Sequence, residues 1–143
     1  MGVKYLEDNA NQRFTLLSAA ITAALGGKIS TPILGLRRMK YVALESQFDF
    51  GSSGTTTNFW VQTSLDGGTK WIDIANFTYS AASGRKGTSL DTTTRASAIT
   101  PDSGVLANNA LLNGVLGDRL RVAYDSVGDH GGASIVIVGV SKA

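Results

Sequence analysis

The sequence predicts an all-β protein, an antiparallel β-sandwich of jelly-roll type with about eight strands. Three observations lead there. Several short runs alternate apolar and polar residues with period two, the pattern of a half-buried strand. Seventeen glycines against two prolines, with Ser/Thr-rich connections between the runs, supply many turns and suit antiparallel strands better than a helical bundle. The 143 residues are enough for one core without staples, and the absence of cysteine removes disulfides, thiolate zinc sites and thiol nucleophiles together.

Taken in order, residues 1–13 are polar with few apolar anchors and read as an extended N-terminal arm, with 14–143 as the sandwich domain. Leu16 to Leu25, LLSAAITAAL, could be an apolar helix ended by Gly26 and Gly27 or an extended segment; its apolar residues show no clean period. In YVALESQFDF, Val42, Leu44, Phe48 and Phe50 fall on one parity and Glu45, Gln47 and Asp49 on the other. Gly51 to Thr57 should reverse the chain. A hairpin is expected next, with Phe59, Val61 and Thr63 on one face, then Ile72 and Ile74 alternating with Trp71, Asp73 and Ala75.

The stretch from Thr78 to Asn109 is dominated by Ser, Thr, Ala and Gly, with Leu90, Ile99, Val105 and Leu106 as its core candidates. Loops of that length are usually functional, so it reads as a docking loop, with short strands near Thr88 to Thr92 and beyond it at Ala110 to Val115. In DRLRVAYDSV, Leu120, Val122 and Tyr124 alternate with Arg119, Arg121 and Asp125. In the last strand both parities are apolar, Ile135 and Ile137 on one and Val136, Val138 and Val140 on the other, as for a central strand or one covered by a neighbouring subunit. Val127 to Gly132 should join these two strands as a hairpin. The expected core is Val42, Leu44, Phe48, Phe59, Val61, Ile72, Ile74, Leu120, Val122, Ile135 and Ile137.

Thirteen basic against eleven acidic residues leave a net charge of +2, too little to attract nucleic acid or a membrane surface by itself. No apolar run reaches the roughly 20 residues of a membrane-spanning helix, so a soluble chain is expected. Met1 to Asn9 carries Lys4, Glu7 and Asp8 without an apolar stretch, so synthesis in the cytoplasm without a secretory signal is expected.

Few residues invite chemistry. The single histidine, His130, lies in GDHGG near Asp125 and Asp129; a solvated turn is the plain reading, a calcium-binding loop the sharper one, and no GxSxG elbow offers it a nucleophile. No enzyme activity, metal or cofactor is expected. SLDGGTKW, with Ser64, Asp66, Gly68 and Trp71, resembles the Asp-box hairpin of sialidases and many other β proteins, with Lys70 where that pattern prefers threonine. Such a hairpin is structural: the carboxylate accepts turn amides and glycine takes a positive φ. Sugar stacking by Trp60 or Trp71 is the alternative. The densest basic groups, RRMK with Arg37 and Arg38 and GRKG with Arg85 and Lys86, lack interleaved aromatics; a solvated face is the plain reading, and an acidic protein neighbour suits them better than nucleic acid.

In order, TLLSAAITAALGGKISTPILGLRRMKYVAL, FWVQTSLDGGTKWIDIANF, LNGVLGDRLRVAYDSV and the final apolar strand resemble small virion proteins of tailed bacteriophages, over about Thr15 to Val140. The resemblance implies a β-sandwich structural protein of the virion and favours an extended Leu16 to Leu25. It implies a capsid decoration or cement protein on the outside of the head, partnered by the major capsid protein and by copies of itself, with a trimer favoured. A neck or tail structural protein and a carbohydrate-binding module on a virion are the alternatives. Arg37, Arg38, Arg85 and Lys86 are the expected contacts to the shell.

Overall fold

The computed structural model describes residues 4–5, 12–22, 26–37, 39–94, 98, 102–128 and 131–142. Ten strands form: β1 Lys4–Tyr5, β2 Gln12–Ile21, β3 Lys28–Ile29, β4 Ile33–Leu34, β5 Tyr41–Asp49, β6 Thr56–Thr63, β7 Ile72–Tyr79, β8 Gly84–Asp91, β9 Arg119–Val127 and β10 Ala133–Lys142. They make two sheets, and no helix forms among the described residues. One sheet has the order β2-β10-β5-β8. The other runs β1-β4-β9-β6-β7, with β3 sharing the edge of β9 that β4 uses. The β1–β4 pair is parallel and the others are antiparallel. Lys4 and Tyr5 thus sit at a sheet edge, while Gln12 and Arg13 already belong to β2.

The core lies between the sheets because each major strand turns one parity inward. β5 alternates exposed and buried along most of its length, with Val42, Leu44 and Phe48 inside. All eleven expected core residues are buried. At the centre Phe48 stacks on Tyr79 with ring centroids 5.0 Å apart, and Phe59 stacks on Tyr124 at 5.8 Å. Phe14 from β2 covers Gly139 of β10 so closely that a Cβ there would stand 2.4 Å from the ring, which leaves glycine as the residue that fits.

Two bulges explain where alternation failed in the sequence. Against β10, Ile137 pairs with Leu17 and Val138 with Thr15, so Leu16 is the extra residue and both leucines are buried. That is why Leu16 to Leu25 shows no period, although Leu16 to Ile21 is a strand; residues 23–25 lie outside the described residues. In β7, Val61 pairs with Ala75 and Gln62 with Asp73, so Ile74 is extra. Ala75, expected on the face opposite Ile72 and Ile74, is consequently buried with Ile74.

Two connections differ from expectation. β9 and β10 belong to different sheets, so they do not pair as a hairpin and the chain passes from one sheet to the other between them; each strand already has partners on both sides, and Leu120 and Val122 face the core that Ile135 and Ile137 face. Thr78 to Asn109 is not one long loop either. Its first part completes β7 and forms β8, where Leu90 is buried. Of the remaining core candidates, Val105 is 63% exposed and Ile99 lies outside the described residues. Ala110 to Val115 makes a single bridge, Leu111 to Ala75, in place of a strand.

Candidate functional site

The turn after β6 is built by two side chains that accept from the backbone. Asp66 Oδ1 accepts the amides of Lys70 at 2.8 Å and Thr69 at 3.1 Å, while Ser64 Oγ accepts that of Gly68 at 2.9 Å. These bonds, led by the Lys70 amide, hold the Asp66 carboxyl below the usual carboxylate range. Gly67 and Gly68 have φ of 76° and 97°, which side-chain-bearing residues resist. Trp71 closes the turn, its indole N–H donating to Gly68 O at 3.1 Å.

From this hairpin a polar network crosses the outer side of the six-stranded sheet. The Arg121 guanidinium lies 4.2 Å over the Trp71 ring, and its Nε donates to Gln62 Oε1 at 2.8 Å. Gln62 Nε2 donates to Asp73 Oδ1 at 2.8 Å and to Ser103 Oγ at 2.7 Å. Asp73 is 4% exposed, and it also receives the amides of Gly104 on Oδ1 at 2.9 Å and of Val105 and Leu106 on Oδ2 at 2.8 and 3.0 Å. Both oxygens of the carboxylate are thus doubly engaged. Its work is to fasten the segment after Asp102.

The fastening continues along β7 and across to β8. Trp60 Nε1 donates to Leu106 O at 3.0 Å, the Asn109 amide donates to Asn76 Oδ1 at 2.9 Å, and the Leu112 amide donates to Ile74 O at 2.9 Å. At β8, the Gly114 amide donates to Asp91 O at 2.9 Å and the Asp91 amide to Asn113 Oδ1 at 3.1 Å. Residues 102–114 therefore close the flank of the sandwich formed by the β7 and β8 edges. The sequence contained this signal in Asp73 and Asn76, polar residues placed in an otherwise apolar strand.

Arg37, Arg85 and Lys86 do not form one patch. Lys86 donates to Thr78 O and, at 2.9 Å, to Asn109 Oδ1, and its ammonium sits 4.9 Å from the Tyr79 ring centre, so it serves the same closed flank. Arg85 makes an exposed ion pair with Glu45 at 2.7 Å. Arg37 is exposed in a turn and acts electrostatically on Asp118, and Arg38 lies outside the described residues. His130 and Asp129 also lie outside them, while burial pushes the Asp125 carboxyl up. Among the described residues no three His, Cys, Asp or Glu side chains gather as metal ligands, and no helix is long and apolar enough to cross a membrane.

What remains outward is surface. On β10, Val136 is 39% and Val138 37% exposed, because the strand is central within its sheet yet has one face outside the core. Val136 pairs with Ser18 and Gln47, Val138 with Thr15 and Glu45, and Val140 with Arg13 and Ala43, so the valines run down the middle of that outer face. Tyr41, at the end of the neighbouring strand, is 42% exposed. A scan against family models matches no family, and a search of curated proteins finds no match either.

Proposed function

We propose that this protein is a capsid decoration or cement protein of a tailed bacteriophage, bound through the major capsid protein to the outside of the head and self-associating, with a trimer favoured. The observation that carries the reading is the outer face of the four-stranded sheet, where Val136 and Val138 stand in water on a rigid central strand. Neighbouring aliphatic side chains on an outer sheet face offer an apolar contact to a surface that packs there. The sequence order that resembles phage virion proteins supports the placement on a virion.

The physical logic is that of a brace. A subunit bridging neighbouring shell proteins adds buried area at the seams, and many copies multiply a modest contact through avidity. The Arg85–Glu45 pair and the Arg37 turn contribute little each, since exposed ion pairs are worth about 0 to 1 kcal/mol. Salt should therefore loosen attachment gradually. The test compares heated particles with and without the protein. Cementing requires earlier DNA release in its absence, restored by adding purified protein, and hundreds of copies per particle. Heat-resistance equal in both preparations sinks the cementing role, and absence from the head sinks the reading.

A further inference from the structure

The segment that closes the β7–β8 flank ends on a reactive pair. Asn113 is the one asparagine of the chain that precedes a glycine. In such a pair the glycine nitrogen can attack the asparagine side-chain carbon, because the following residue has no Cβ to hinder the approach. Gly114 also has a φ of 88°, a conformation that side-chain-bearing residues resist. In the folded chain one residue engages both reacting groups. Asn113 Oδ1 accepts the Asp91 amide at 3.1 Å, and the Gly114 amide donates to Asp91 O at 2.9 Å. Asp91 is the last residue of β8, and its amide and carbonyl both turn to this pair. Attack requires the Gly114 nitrogen to shed the hydrogen it donates and the Asn113 side chain to swing over it. The clip at Asp91 must therefore open first.

We propose that Asn113 is a site of spontaneous deamidation, gated by local opening of this clip. When the segment around Asn113 lifts from β8, the Gly114 nitrogen bonds to Asn113 Cγ, the Cγ–Nδ2 bond breaks, and ammonia leaves with the proton from the Gly114 amide. Water then adds to one of the two carbonyl carbons of the resulting succinimide and opens the ring, which leaves aspartate or isoaspartate at position 113. Nothing is oxidised or reduced. The two products act differently on the flank. Aspartate still offers an oxygen to the Asp91 amide, whereas isoaspartate carries the main chain through Cβ and displaces the Gly114 amide from Asp91 O. Isoaspartate therefore leaves this end of the segment unfastened from β8, while Asp73 still holds residues 104–106. The modification is one-way, so it accumulates with each opening of the flank. It does not depend on the decoration reading.

The test incubates the full chain at mildly alkaline pH, folded or unfolded in guanidinium chloride, and follows the peptide containing residue 113 by mass spectrometry for exchange of the side-chain NH₂ for OH. Each hydrogen bond of the clip shifts the opening equilibrium about fivefold, so the folded chain should react roughly 25-fold more slowly than the unfolded one. Folded and unfolded rates within about fivefold of each other would overturn the inference. Asp91→Pro deletes the amide that Asn113 accepts, at the end of an edge strand where proline is tolerated, and should speed the reaction about fivefold in a protein whose near-ultraviolet circular dichroism is unchanged. An unaltered rate in that folded variant contradicts the gate. If Asp91→Pro does not fold, the unmodified protein decides the matter. In guanidinium chloride below its unfolding transition, deamidation at Asn113 should rise in step with hydrogen exchange of the Gly114 amide, since both track the open population. Deamidation that stays flat while Gly114 exchange rises would sink the proposal.

Discussion

Replacing Asp73 with asparagine tests whether the segment after Asp102 is held by a buried charge. The carboxylate accepts from Gln62 and Gly104 on one oxygen and from Val105 and Leu106 on the other. In Asp73→Asn one oxygen becomes an NH₂ group, so whichever way the amide turns, two donors face a donor. Hydrogen bonds to a charged group contribute about 1.5–3 kcal/mol each, and losing two gives roughly 3–6 kcal/mol if nothing moves. The amides of Gly104 to Leu106 can also lift into water, while the Asn76–Asn109 and Ile74–Leu112 bonds farther along persist. That relaxation lowers the expected cost to about 2–4 kcal/mol. Urea unfolding measures it, and amide hydrogen exchange should quicken at residues 104–106 before it does in β5. Asp102→Asn is the control, because the Asp102 carboxylate receives the exposed Ser103 amide. A shift under about 0.5 kcal/mol with unchanged exchange at 104–106 would refute the reasoning, since charge-assisted bonds should exceed that.

Phe59→Ala removes a fully buried ring that meets Phe48, Tyr79 and Tyr124, and should cost about 3–5 kcal/mol in urea unfolding. Gly68→Val forces a branched residue to a φ of 97° and brings its Cβ to 3.1 Å from Arg119 Nη1; about 2–3 kcal/mol should be lost in thermal melts. Asp66 titrates below its ordinary value in the folded state because of the Lys70 and Thr69 amides and Ser64, so its stabilisation is complete above the unfolded pKa and fades as pH falls through the folded one. Denaturation at pH 7, 5 and 3 should therefore show this loss below about pH 4, and Asp66→Ala should shrink the difference between pH 5 and pH 3; an unchanged difference contradicts it.

The core was legible because burial in β5, β6, β9 and β10 follows parity, which period-two reading detects directly. Phe14, Leu16 and Leu17 were not, because the bulge opposite Ile137 and Val138 puts consecutive leucines on the same side. The connection after Val127 was misread as a hairpin because neighbouring strands usually pair, and alternation carries no information about which sheet a strand joins. The turn at Ser64 to Trp71 was readable from its residues, since the chemistry is local. The segment after Asp102 was not: its partners Gln62, Asp73 and Asn76 are some 30 to 40 residues distant, and it is ordered by hydrogen bonds, not by an apolar pattern. Lys86 changes meaning for the same reason, because only the folded chain brings it to Thr78 and Asn109.

An edge strand left bare is a hazard, and closing one with the segment 102–110, whose Val105 is 63% exposed, gains little hydrophobic burial to offset the entropy of ordering it. At the β7–β8 flank the buried Asp73 carboxylate fastens the segment by accepting the amides of Gly104, Val105 and Leu106, while Val136 and Val138 on β10 remain partly exposed. The contrast separates two ways of attaching to a shell. If the segment after Asp102 were the docking element, as its length and composition suggest in the sequence, loosening it by Asp73→Asn would weaken attachment along with stability. If attachment runs through the valine face, the same variant should bind particles as the unmodified protein does, under conditions where its core remains folded. Sedimentation of particles with each protein, with near-ultraviolet circular dichroism confirming the fold, distinguishes the two. Tenfold weaker binding by a folded Asp73→Asn protein would return the docking role to the segment and remove it from the valine face.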